Sequence, residues 1–213
     1  MTDSAAEATR RSGRNTIPRI LPVLGTLLVA TTAAAEDPIA GASYRNIISD
    51  QVANGARGAI AVNSAAGDSN LQANDAAIVF GRGIATTDLR QYVGYQGSAL
   101  GVRSDLYIGG EAFNNTRGWL AINQAGGKGN AQGNGMAIAV GDGGALTEQS
   151  LEQVVAAQGA LTDSDGDTTD QRTITVAPST FRDARGVIQL NQSAGEGNAN
   201  SNRFSLRVMG GAR

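Results

Sequence analysis

Four aspartates crowd one short stretch, "DSDGDTTD" at 163–170, and alternating carboxylates around a glycine are the raw material of a calcium loop. Asp163, Asp165, Asp167 and Asp170 are therefore the metal candidates of this chain. They match such a loop poorly, because the glycine falls at the fourth position instead of the sixth and no glutamate follows at the twelfth. A flexible acidic loop is the simpler reading. Elsewhere the sequence holds no Cys and no His. That removes thiol nucleophiles, Cys-type zinc sites, imidazole bases and disulfides together. With no P-loop and no Gly-x-Ser-x-Gly elbow either, the expectation is a non-enzyme that needs no cofactor.

The chemistry that remains is hydrogen bonding by side-chain amides. "VNSAAGDSN" at 62–70 returns as "INQAGGKGN" at 122–130 and "LNQSAGEGN" at 190–198. Aligned without a gap, the copies read R-G-x-[IL]-x-[VIL]-N-x-x-x-G-x-x-N-x-[QN]-x-N-x-x-x-[IL]-x-[FV] over 57–80, 117–140 and 185–208. A match repeated three times over that length marks a repeat architecture. Four amide rows are then available for stacking: Asn63 with Asn123 and Asn191, Asn70 with Asn130 and Asn198, Gln72 with Gln132 and Asn200, and Asn74 with Asn134 and Asn202.

Positioning those amides is the task of the flanking residues. Ile60 and Val62, Leu120 and Ile122, and Ile188 and Leu190 alternate with small or polar neighbours, the period-2 pattern of a half-buried strand. After each arch, Gln72, Asn74, Ala76, Ile78 and Phe80 keep one parity, as do their counterparts in the other copies. Gly67, Gly127 and Gly195 are expected to supply a backbone conformation at the reversal that other residues resist. Amides thus share a face with aliphatic side chains, where an unpaired amide costs about 1 to 3 kcal/mol. Stacking like on like at the ~4.8 Å strand spacing removes that cost.

An earlier strand extends the repeat, with Leu106 and Ile108 matching Ile174 and Val176, and with Ile48 standing where Ile108 stands. "LRQYVGYQG" at 89–97 and "LEQVVAAQG" at 151–159 match as connectors, each a short helix or an outer strand; Thr147 followed by Glu148 favours a helix in the second. The fold expected is all-β, three imperfect repeats stacked as β-arch or β-hairpin layers in a β-solenoid-like, amyloid-competent arrangement. Periodicity is the same for a hairpin and for a stacked arch, so strand pairing stays open at this stage. Trp119 stands opposite Leu120 and reads as a partly covered surface residue.

The N-terminus follows another logic. Arg10, Arg11, Arg14 and Arg19 precede an apolar run from Ile20 to Val29 and a small-residue stretch ending at Ala35. This predicts a secretory signal cleaved near Ala35, since the run is shorter than the ~20 residues a membrane span needs. Cleavage removes four basic and two acidic residues, leaving 13 against 17 and a charge of −4. Nothing in that balance favours nucleic acid, and no further segment suggests stable membrane insertion. The organisation expected is signal peptide 1–35, repeat unit 1 over 36–80 (core 57–80), a connector over 81–103, repeat unit 2 over 104–140 (core 117–140), a connector with the acidic loop over 141–171, repeat unit 3 over 172–208 (core 185–208) and a tail over 209–213.

The stretches "GWLAINQAGGKGNAQGN" (118–134) and "GVIQLNQSAGEGNANSN" (186–202) resemble the repeats of the Fap type of bacterial functional amyloid subunit. That resemblance implies export through the periplasm and a dedicated outer-membrane pore, then assembly with itself, and with other amyloid subunits, into extracellular fibrils that stiffen biofilms. It also implies a Cys-x-Cys in the major subunit, which this chain lacks; a minor, nucleating, accessory or divergent member fits better. The expectation is a secreted structural protein that forms fibrils through laddered repeats. Its alternative is a monomeric β-solenoid adhesion module.

Overall fold

The computed structural model describes residues 43–96, 102–141, 145–146, 152–158 and 171–209. Among them there is no helix. The first unit contributes β1 (Ser43–Ile48), β2 (Arg57–Ala66), β3 (Leu71–Phe80), β4 (Ile84–Ala85) and β5 (Arg90–Gln96). In the second come β6 (Arg103–Ile108), β7 (Arg117–Gly126), β8 (Ala131–Val140), β9 (Ala145–Leu146) and β10 (Glu152–Gln158). The third unit supplies β11 (Gln171–Val176), β12 (Arg185–Ala194) and β13 (Ala199–Val208).

Every sheet is built between units and none within one. The orders are β1-β6-β11, β12-β7-β2, β13-β8-β3, β10-β5 and β4-β9, and all pairs are parallel and in register. Strands β2 and β3 flank the same turn yet belong to different sheets. The motif is therefore a stacked arch and not a hairpin. A hairpin would satisfy its backbone inside one unit, whereas here the strands of an arch bond to those of the unit above or below, and only the middle unit is paired on both sides.

Alternation along β2, β7 and β12 divides two interiors. Ile60, Val62, Leu120 and Ile122 pack with Ile48 and Ile108 against the first sheet, joined by Phe113 and Ala112 from the preceding turn. Odd-numbered positions point the other way, into the arch, where Trp119, Ala121 and Met136 form a second cluster with Ala59, Ala76, Ile138, Val187 and Phe204 around it. Behind the returning strand, Ala137 and Ala139 meet Ala85. Small side chains let the layers approach closely, so a chain with only 4% aromatic residues still buries two seams.

Two expectations need correction. The second connector is strand over Glu152–Gln158, paired in register with Arg90–Gln96, for example Val155 with Val93. Matching segments one layer apart offer each other a complete parallel ladder, and β-branched Val154 and Val155 fit it better than a helix. Thr147 and Glu148, which suggested the helix, lie outside the described residues. Trp119 is buried, 6% exposed, because the returning strand covers the face that the pattern of a single strand leaves open. Its indole Nε1 donates to Gln189 Oε1 at 2.7 Å, which satisfies the polar atom such burial would strand.

Candidate assembly site

Inside each arch the outgoing strand offers Asn63, Asn123 or Asn191 and the returning strand Asn74, Asn134 or Asn202. Within a unit the two are bonded: Asn74 Nδ2 to Asn63 Oδ1 at 2.7 Å, Asn134 to Asn123 at 2.9 Å, Asn202 to Asn191 at 2.8 Å. Between units each donates to the layer before it. Asn123 Nδ2 reaches Asn63 Oδ1 at 3.0 Å and Asn191 reaches Asn123 at 3.0 Å. Asn134 reaches Asn74 at 2.8 Å and Asn202 reaches Asn134 at 3.1 Å. The two rows are thus one cross-linked lattice. That cross-bonding was not visible in the sequence, where no spacing rule says that the first and last amides of an arch face each other.

The other two rows differ. Asn130 donates to Asn70 Oδ1 at 2.9 Å and Asn198 to Asn130 Oδ1 at 2.8 Å, and each oxygen also accepts the backbone N–H of the following Asn. This row closes the arch, since Asn70 and Asn130 also donate to the carbonyls of Gly127 and Gly195, at 2.8 Å each. Gln72 Nε2 reaches Gln132 Oε1 at 2.9 Å, but Gln132 and Asn200 both turn to Ser193 Oγ. The Asn200 side chain is one methylene shorter than glutamine, and a hydroxyl fills the gap.

A further column lies on the opposite face of the outgoing strand. Gln192 donates to Gln124 Oε1 at 2.8 Å, and Gln124 to the backbone oxygen of buried Asn46 at 3.0 Å, while Ser64 Oγ donates to Asn46 Oδ1 at 2.6 Å. The only signal for it was Gln beside Asn in "INQ" and "LNQ".

The arch glycines are not equivalent. Gly67 and Gly127 have φ of 99° and 102°, and a Cβ on either would collide with the carbonyl oxygen of the glycine in the next layer. Gly195 departs from expectation: its φ lies outside the left-handed region, and its nearest neighbour would be Asn198 Nδ2 at 3.3 Å. None of the three atoms nearest to a Cβ there is backbone, so it would press only on the ends of the Asn198 and Arg172 side chains.

Most charge lies on the rim, although Glu196 Oε1 is buried. Arg57, Arg117 and Arg185 form one exposed column, and Lys128 lies 3.8 Å from Asp68 at the arch tip. Burial pushes the Tyr44 phenol above its ordinary 10.0, and the carboxylates of Asp68 and Glu196 push it the same way. Among the described residues no three metal-ligating side chains converge, and Asp163, Asp165, Asp167 and Asp170 lie outside them. No described helix is long and apolar enough to cross a membrane.

At the two ends of the stack the same rows stop short. Strands β1, β2 and β3 at one end, and β11, β12 and β13 at the other, are sheet edges. Ile78 is 52% exposed and Leu206 41%, while Ile138 between them is half-buried in the arch seam. Open, flat, in-register edges carrying aliphatic and amide rows are templates for another strand.

Such a stack defines a class of protein: repeats whose layers are complete only when another layer lies on them. The model of the functional amyloid protein FapB/FapC family matches residues 29–209, and the chain belongs to that family. No solved structure matches it.

Proposed function

We propose that this chain is an exported structural subunit that assembles with itself into extracellular fibrils of a biofilm matrix, each molecule continuing the amide and aliphatic rows of the one before. The observation that carries this reading is the pair of end layers, six edge strands among the described residues, with Ile78, Ile188 and Leu206 exposed where Leu120 in the middle layer is buried. Membership of a functional amyloid family supports it. Export by a cleaved signal at 1–35, passage through an outer-membrane pore and co-assembly with other subunits belong to the same proposal.

Fibre diffraction and electron microscopy of residues 36–213 test it. Fibrils with a meridional reflection near ~4.7 Å and an equatorial one near ~10 Å are expected. A persistently monomeric β-rich protein would overturn the reading. In addition, replacing Asn63, Asn123 and Asn191 together with Ala should slow or abolish growth followed by thioflavin fluorescence, and an unchanged curve would sink the role of the ladder. An adhesion module is the second reading. It draws on the shallow open groove along the outer face of the first sheet, where Arg45, Arg103, Asp105, Tyr107 and Thr173 are accessible. A monomer that binds glycan arrays would favour it.

A further inference from the structure

The ends of the stack are complementary to each other at positions where the interior is neutral. Asp75 on β3 is in register with Gly135 on β8, which is in register with Arg203 on β13. Within one molecule the two charges are separated by a glycine layer. If the register continues from the third unit of one copy to the first unit of the next, Arg203 and Asp75 become direct neighbours on adjacent strands, where opposite charges attract and like charges repel. Among the strand-paired columns of described residues no other puts opposite charges on units 1 and 3.

Volume follows the same polarity. Unit 1 has Ala59 and Ala76 where unit 3 has Val187 and Phe204, all four packed around the Trp119 cluster. In the turn before the arch, Phe113 and Phe181 stack with ring centroids 5.4 Å apart, whereas unit 1 offers Ala53 beside Phe113. In these three columns the first unit has the room and the third the bulk, whereas Leu71 over Ala199 and Phe80 over Val208 run the other way.

Two columns act the other way. Glu196 would approach Asp68, but Asp68 is 81% exposed and has Lys128 beside it, so water and a counter-charge screen the pair. Arg185 would approach Arg57, which only repeats a contact the interior already tolerates at Arg117.

We propose that a second copy of this chain docks head to tail, its unit 1 on unit 3 of the first, and that Asp75 and Arg203 form the intermolecular pair that selects this polarity. The inference rests on the fibril reading above and adds which ends meet and which residues choose them. A heterologous junction of this kind leaves one unsatisfied end of each sort, so growth does not close.

The test uses two variants of the purified chain, Asp75→Arg and Arg203→Asp, in self-seeded elongation followed by thioflavin fluorescence. Each alone places like charges at every junction and should elongate roughly five- to tenfold more slowly than the wild type. Mixed in equal amounts, an alternating polymer has opposite charges at every junction, and elongation should return to within about twofold of wild type. A fold defect in either variant would not be repaired by the other. Wild-type rates for the single variants, or a mixture as slow as its components, would overturn the junction while leaving fibril formation intact. Absence of fibrils from the wild type would instead remove the parent reading, and the junction with it.

Discussion

Units 2 and 3 carry nearly the same arch, yet they live in different environments. Asn123 is fully buried, and Leu120 retains 2% of its surface. In the third unit Ile188, the counterpart of Leu120, is 41% exposed, and every residue of β11 faces solvent. Nothing in the arch sequence itself accounts for that difference. Burial here is a property of place in the stack: a unit becomes core when it has neighbours on both sides, and the same residues are surface when it does not. An outer unit is a core waiting for a second face, which is how a hydrophobic seam can be both the interior of the molecule and its means of association.

The contrast can be tested at matched positions. Leu120→Ala should destabilise the monomeric chain by about 2 to 5 kcal/mol in urea unfolding. Ile188→Ala, at 41% exposure and in register with Leu120, should cost below about 1 kcal/mol in the monomer, with a larger penalty once fibrils cover it. Equal losses in the monomer would erase the distinction between units. Next in size is the amide lattice. Asn123→Ala removes one of the acceptors of Asn134 and of Asn191 and a buried donor to Asn63 Oδ1, and should cost roughly 2 to 3 kcal/mol. Asn63→Ala, at the open end, should cost about 1 kcal/mol, since water can reach the groups it abandons.

Glycines give a finer comparison. Gly127→Ala meets both a positive φ and the Gly195 carbonyl and should cost more than about 1 kcal/mol. Gly195→Ala should stay within about 0.5 kcal/mol, and its effect should grow in fibrils, where a further layer would lie against it. The smallest effect concerns Tyr44. Its folded-state pKa is raised above 10.0, first by burial and then by Asp68 and Glu196. Stability should therefore be unaffected below about pH 10 and fall above it, as the unfolded chain ionises first. Spectrophotometric titration of the phenols checks this, and a Tyr44 that ionises at or below its ordinary value would contradict it.

Much of this fold was legible because the copies align without a gap. Ile60, Leu120 and Ile188 announce one column, and Asn63, Asn123 and Asn191 another, and the structure stacks them in that order. What was not legible depends on a second strand approaching from elsewhere. The parity of β2 says that Asn63 and Ile60 point apart, not that Asn63 will meet Asn74 or that Trp119 will be covered. Hairpin and arch share the same alternation, so only the pairing of β2 with β7 instead of β3 decides between them. A helix-capping signal is local, whereas the strand at Glu152–Gln158 depends on a parallel ladder with a segment one layer away.

Successive units are offset by 60 residues from Arg57 to Arg117 and by 68 from Arg117 to Arg185, yet the ladders on either side are equally regular. The longer second spacing leaves the strand register unchanged: Arg185 pairs with Arg117 just as Arg57 does, and Ala199 with Ala131 just as Leu71 does. Axial repeat is thereby uncoupled from chain length. In a fibril that continues the stack, each copy adds three strand spacings, ~14 Å, whatever the connector holds. A peptide inserted there would be displayed along the fibre as a ruler with a ~14 Å graduation set by backbone hydrogen bonding alone.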